Sequence, residues 1–189
     1  MTTAVSTSLP VGPIEARPTT DPHHAVWALL ESVTDPEIPV VSLREMGILR
    51  AVREGAHGLE VVITPTYSGC PAMGQMEDDV VNALAGAGIA ARVVTQLAPA
   101  WSSDWISPEA RNKLRAYGIA PPQSTACAHA SVSVVQFAAR RPSDAAVIVP
   151  CPQCASGNTT EISHFGSTAC KALYRCLDCR EPFDYFKPY

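Results

Sequence analysis

Apolar positions recur with a helical period in three places and alternate with a strand period in three others, all before residue 122. In "DPHHAVWALLESV", Val26, Leu29, Leu30 and Val33 fall at i, i+3, i+4 and i+7, with Asp21 placed to cap and Pro22 at the first helical position. "TDPEIPVVSLREMG" has no period and reads as a proline-punctuated loop holding at most one helical turn. "ILRAVRE" and "LEVVITP" flank "GAHG", the pattern of a β-hairpin. A second helix is expected after Cys70, with Pro71 first, Met73, Met76, Val80 and Leu84 on its buried side, and Gly86 or Gly88 as its end. "ARVVTQL" reads as a third strand. A strand–helix–strand order favours a parallel crossover beside the hairpin. In the third helix Ser107 caps, Pro108 comes first, Ala110, Leu114 and Tyr117 share a face, and Gly118 stops it. The expected class is therefore α+β: a small mixed three-stranded sheet with packed helices over residues 22–122.

Outside that region the pattern changes. Residues 1–20, rich in Ser, Thr and Pro, read as a flexible tail, and residues 123–146 as an Ala-, Ser- and Pro-rich linker in which "SVSVVQF" has the alternation of a short strand. Residues 147–189 are too few for an ordinary hydrophobic core and call for a staple.

Composition narrows the function classes. Of the 189 residues 47% are hydrophobic and 17% charged, a globular balance. The net charge of −4 argues against a nucleic-acid or anionic-membrane surface as the main partner, since these demand clustered Lys and Arg. No apolar run approaches the roughly 20 residues of a membrane span. The N-terminal stretch lacks an early positive charge and an apolar core, so a cytoplasmic location is expected. In that setting seven cysteines are read first as metal ligands or reactive thiols, not disulfides.

Four of them form two C-x-x-C knuckles, Cys151-Pro-Gln-Cys154 and Cys176-Leu-Asp-Cys179, separated by 21 residues. Two thiolates two residues apart grip one ion from a tight turn, and two such turns complete a tetrahedron. With strand-like segments around them, the expectation is an all-β zinc ribbon with four cysteine ligands, whose closed shell is structural; iron uses similar ligands, and the spacing does not separate the two metals. From Cys151 onward four basic residues balance four acidic ones, so the ribbon lacks a nucleic-acid footprint and reads as a protein-docking module. The aromatic tail "PFDYFKPY" either joins that contact or supplies the ribbon's small core through Phe183 and Phe186. Cys170, outside the knuckles, reads as a spare thiol, a redox thiol helped by Lys171, or plain strand packing, the last in keeping with cysteine's preference for burial.

Cys70 poses a different question. If Pro71 opens the helix, Cys70 is its cap, and the unpaired amides and dipole there favour a thiolate. Thr64, Thr66, Tyr67 and Ser68 offer hydroxyls nearby, and Gly69 permits close backbone approach. A buried cap without chemistry fits the same residues, because cysteine packs as a small hydrophobe. Asp35 is either a turn former or an acidic partner of Cys70. No histidine among His23, His24, His57, His129 and His164 is placed by sequence for a Cys/His dyad, which argues against a self-sufficient hydrolase.

The residues "DPEIPVVSLREMGILRAV…VVITPTYSGCPAM" resemble the small Fe–S-assembly-associated domain family that includes SufT, which pairs a DPE-x-P loop with a T…CP hinge. Over nearly everything from residue 22, "PAWSSDWISPEARNKLRAYGIAPP" followed by "CPQC" and "FGSTACKALYRCLDCREPFDYFK" is similar to the PaaD family (also PaaJ), the D subunits of bacterial phenylacetyl-CoA epoxidase systems. That resemblance implies an accessory subunit in aerobic phenylacetate degradation, partnered with oxygenase subunits or with a flavin and Fe–S reductase. It implies maturation or maintenance of their iron or Fe–S centres, with Cys70 and Asp35 holding a transient iron or Fe–S species and Thr64 or Thr66 as the hinge threonine. It also implies a structural zinc on Cys151, Cys154, Cys176 and Cys179. The competing expectations are a scaffold subunit without catalytic activity and a Cys70-dependent thiol or thioester enzyme.

Overall fold

The computed structural model describes residues 21–123 and 148–189; the tail at 1–20 and nearly all of the linker at 123–146, with its expected strand, lie outside the described residues. The chain divides into two compact units, residues 1–110 and 111–189.

The first unit is built on a three-stranded mixed sheet. β1 (Leu49–Gly55) pairs antiparallel with β2 (Gly58–Ile63), and β2 pairs parallel with β3 (Ala91–Thr95). The hairpin turn is Ala56-His57 between the paired Gly55 and Gly58, and Gly58 takes φ +103, a conformation that costs an L side chain about 1–2 kcal/mol. β2 is the central strand, and Val61, Val62 and Ile63 are each 0% exposed, so it is covered on both faces. A bulge between Leu49 and Ala51 leaves Arg50 as the extra residue of β1. Such bulges re-aim a side chain, and here the buried Arg50 guanidinium stacks 3.6 Å from the centre of the Trp105 ring. Burial lowers its pKa.

α2 (Met73–Ala85) connects β2 to β3 and buries Met76, Val80 and Leu84 as the periodicity predicts, with Met73 half-buried at the entry. Its end is a Schellman closure: the Ile89 N–H donates to the Leu84 carbonyl (3.0 Å) and the Gly88 N–H to that of Ala85 (2.9 Å), with Gly88 at φ +74. α1 (His24–Leu30) buries Val26, Trp27 and Leu30, so Trp27 takes the place expected of Leu29, which is half-buried. The helix starts two residues later than expected. Asp21 bonds the His23 N–H (2.8 Å) and closes a turn through Pro22 instead of capping the helix itself. α3 (Pro108–Tyr117) does begin as read, the Ser107 hydroxyl accepting the Ala110 N–H at 3.0 Å. Ala110 and Leu114 are fully buried, but Tyr117 is 53% exposed and off the expected face.

Glu60, on β2, is buried between its two cross-strand neighbours, Arg53 on β1 and Arg92 on β3. Arg53 donates through Nε at 3.2 Å, and Arg92 through Nε at 3.0 Å and Nη2 at 2.5 Å. The Arg92 hydrogen bond holds the Glu60 carboxyl below the usual carboxylate range; burial opposes this and Arg53 adds to it. A carboxyl depressed on folding contributes stability above its unfolded pKa and loses it as pH falls through the folded value. Glu60→Gln is therefore expected to flatten the acid side of the stability profile, read as amide exchange of β2 between neutral pH and below about pH 4. An acid limb identical to wild type would show that the triad carries no linkage.

The second unit is a four-stranded sheet in the order β4 (Ile119–Ala120), β7 (Pro182–Phe186), β6 (Lys171–Cys176), β5 (Thr159–Ser163). β5, β6 and β7 pair antiparallel, and β4 adds parallel to β7. Its small core comprises Ala120, Val149, Cys151, Ala172, Cys176, Phe183 and Tyr185. Phe183 and Phe186 are 5% and 1% exposed and fill the ribbon, while Tyr189 at the end of the tail is 41% exposed. Cys170 is buried just before β6, its Sγ 3.0 Å from the Thr168 hydroxyl, as packing predicts. Among the described residues no helix is long and apolar enough to cross a membrane.

Candidate functional site

In the second unit the two knuckles face each other. The four sulfurs of Cys151, Cys154, Cys176 and Cys179 all lie within 4.8 Å of one another, with Cys151–Cys179 at 3.7 Å and Cys154–Cys176 at 3.6 Å. A tetrahedral ion with metal–sulfur bonds of about 2.3 Å sets its sulfurs about 3.8 Å apart. The geometry and the donor set therefore fit a four-thiolate metal centre with no coordination position left for substrate. Each knuckle has its first cysteine buried and its second exposed. Each is also followed by a non-glycine residue in the left-handed region, Ala155 (φ 59) and Arg180 (φ 71), which turns the chain sharply behind the second sulfur.

Electrostatics within the cluster are uneven. The Cys179 N–H, 3.4 Å from the Cys176 sulfur, leads the effects that lower Cys176 to about 7. At Cys179 the Glu181 amide acts downward, but burial and the three neighbouring thiols push it up to about 12. Cys154 is also raised: the Ser156 amide acts downward, and the Cys176 thiol and burial outweigh it. Four thiols this close do not ionise together, so an ion entering the site displaces protons from sulfur.

In the first unit Thr64, Thr66 and Cys70 lie on the segment that leaves β2 at its carboxyl end. Thr64 and Thr66 are buried and Cys70 is half-buried. Cys70 is not the cap of α2: the helix begins at Met73 with Ala72 at the cap position and no side-chain cap bond. Instead the Cys70 N–H donates to the Tyr67 carbonyl (3.2 Å), and the Met73 N–H reaches the Cys70 carbonyl at 3.5 Å. The thiol thus sits in a turn ahead of the helix, three residues before its first residue, where the dipole argument has less force because that effect fades within one turn.

The loop carrying Asp35 is fastened at the same end of the sheet, through the Thr64 N–H on the Ile48 carbonyl (2.8 Å). Asp35 is buried, and its Oδ1 accepts the Glu37 N–H (2.8 Å) and the Ile38 N–H (3.0 Å). This Asx turn seats Ile38, Val41, Leu43 and Met46, each at most 1% exposed, so the loop is core rather than surface. Asp35→Ala, which removes a charged acceptor from two amides, is expected to destabilise the first unit by about 3 kcal/mol, and Asp35→Asn by much less because it retains Oδ1. The check is the urea midpoint of the first unit. Equal loss in both variants would shift Asp35's importance from the turn to its charge.

Sequence reading missed the residues that support the metal cluster. Asp178 lies inside the second knuckle and accepts from Ser156 Oγ and from Asn158 Nδ2 (2.8 Å), both just past the first knuckle. A polar residue between two ligand cysteines was the available signal.

Two family models match separate stretches of the chain. Residues 23–95 match the family model described as "Iron-sulfur cluster assembly protein", and residues 138–187 match the "PaaD zinc beta ribbon domain". A relative from Escherichia coli strain K12, named as the putative D subunit of 1,2-phenylacetyl-CoA epoxidase, is 48% identical over 165 residues, covering 87% of this chain and 92% of that protein. Among solved structures, a DUF59 domain of unknown function from Bacillus anthracis is 29% identical, covering 48% of this chain and 88% of its own, at TM-score 0.44. A Mycobacterium tuberculosis protein described as associated with Fe–S complex assembly and repair is also 29% identical, covering 57% and 98%, at TM-score 0.31. On the strength of the Escherichia coli relative, the chain belongs to the PaaD family, the D subunits of phenylacetyl-CoA epoxidase.

Proposed function

We propose that this chain is an accessory subunit of a phenylacetyl-CoA epoxidase system, acting in the maturation or maintenance of its iron or Fe–S centres. Cys70 is the thiol that holds the transferred species: it gives up its proton when iron binds and takes one back when the iron passes to ligands of the partner, with no change of oxidation state required. Asp35 keeps the adjoining loop in place, and the ribbon, stapled by zinc, is the docking module. The partners are the oxygenase subunits or the flavin and Fe–S reductase.

The observation that carries the reading is a separation of thiols. The region matching the iron–sulfur assembly model, residues 23–95, contains a single cysteine, Cys70, half-buried on the segment that follows the buried central strand. The four sulfurs suited to a resident ion lie in the other unit. The test is to purify the epoxidase subunits from cells making and lacking this chain. Iron content and activity are expected to drop together without it.

A scaffold role without metal transfer is the second reading. It is favoured by Ile148, Ile162, Phe165 and Leu177, which the second unit leaves 40–64% exposed. Under it the subunits would fail to copurify, but those recovered would carry full iron.

A further inference from the structure

The bonds around Asp178 do more than tie two loops. The Ser156 carbonyl accepts the Cys151 N–H (2.9 Å), so Ser156 is tied directly to the first ligand of the first knuckle. Asp178 lies between the two ligands of the second knuckle, where the Cys179 N–H donates to the Cys176 sulfur at 3.4 Å. Between Ser156 and Asp178 runs the Ser156 Oγ to Asp178 Oδ2 bond. Asn158 doubles it, donating through Nδ2 to Asp178 Oδ1 (2.8 Å) and accepting the Leu177 N–H at its carbonyl (2.8 Å). The sulfurs of Cys154 and Cys176 are a 3.6 Å pair that spans the knuckles. The clasp therefore ties the two ligand-bearing turns to each other, by side chains and by backbone, while two of the four cysteines, Cys154 and Cys179, are exposed to competing ligands.

We propose that Asp178, through Ser156 and Asn158, is a positioning residue that locks the two knuckles together and sets how slowly the ribbon surrenders its metal. This rests on the reading of the four cysteines as a metal centre. Its consequence is functional: a clasped ribbon keeps its ion as a resident, so any metal this chain hands on is held elsewhere, at the thiol of the first unit. Outer partners of metal ligands generally matter at this scale, their loss weakening metal binding roughly 10- to 100-fold.

The test uses the full chain loaded with zinc or with cobalt(II), whose ligand-field bands report tetrahedral thiolate geometry. Loss of metal to excess chelator is expected to be at least about tenfold faster in Asp178→Ala than in wild type, with weakened cobalt bands. Asp178→Asn, which keeps one acceptor, should recover part of the retention. Adding Ser156→Ala to Asp178→Ala should cost less than the two single effects summed, because both remove the Ser156–Asp178 bond and Ser156→Ala removes in addition only the Oγ that accepts the Asn158 N–H at 3.0 Å. If Asp178→Ala does not fold, Asn158→Ala carries the same test with the carboxylate in place. Wild-type release rates and bands in these variants would overturn the clasp alone. A wild-type chain that takes up no metal would overturn the metal centre and the clasp with it.

Discussion

Stripping the metal from the full chain is expected to melt the second sheet. Residues 148–189 bury few large apolar side chains, and two members of their core, Cys151 and Cys176, are themselves ligands. A piece this small does not reach stability on apolar burial alone. Structural zinc supplies about 10–16 kcal/mol on binding four-ligand sites at neutral pH, against a typical domain stability of about 5–15 kcal/mol. Without the ion the sulfurs remain crowded, with Cys154 raised and Cys179 pushed up to about 12. Protonated at neutral pH, those thiols must lose protons when metal enters. Metal affinity therefore rises with pH and falls on acidification, and loading releases protons into a weak buffer. Chelation, or Cys151→Ser, should abolish amide protection in β5, β6 and β7 while β1–β3 stay protected, because the first unit has its own core in Leu30, Leu43, Met46, Ile63 and Leu84. Metal analysis should return one ion per chain. Protected strands in a metal-free chain would contradict the staple.

The second large effect concerns Cys70. Cys70→Ser exchanges sulfur for oxygen at a half-buried turn position whose backbone bonds, to Tyr67 and from Met73, do not involve the thiol. Folding and the ribbon's metal content are expected to stay at wild-type values. Iron incorporation into the epoxidase subunits should fall as far as it does without the chain, at least about tenfold, since a serine hydroxyl is a poor ligand for iron at neutral pH. Full iron content with Cys70→Ser would leave the scaffold reading in possession. Covalent capture of Cys70 by a thioester substrate would instead make it a nucleophile.

How much of this was legible beforehand follows from the kind of signal each feature sends. Period-2 and period-3.6 runs gave the hairpin, α2 and β3 in their correct order, and with them the mixed sheet. The cysteine knuckles were legible because metal geometry restricts ligand spacing. The three X-Pro helix starts looked alike in sequence and diverged in structure. At Ser107 the hydroxyl reaches the Ala110 amide. At Asp21 and Cys70 a backbone carbonyl closes a turn first, taking the N–H of His24 at 3.0 Å and of Met73 at 3.5 Å, and the helix starts later. The loop of residues 34–48 has no period, so its share of the core could not be read. Ile38, Val41 and Leu43 are buried because Asp35 curls the chain, a fact of turn geometry. The Asp178 clasp was invisible for a similar reason. Its partners lie 20 and 22 residues earlier and meet it only once both knuckles have formed.

The central claim is that transferable iron is held by the first unit's thiol and not by the ribbon. The most direct measurement is iron X-ray absorption on the zinc-loaded full chain, exposed anaerobically to ferrous iron, for wild type and Cys70→Ser. Iron retained by wild type with a sulfur neighbour, and lost in Cys70→Ser while zinc stays at one per chain, is the predicted result. Iron bound equally by both proteins, or iron that displaces the ribbon's zinc, would contradict it.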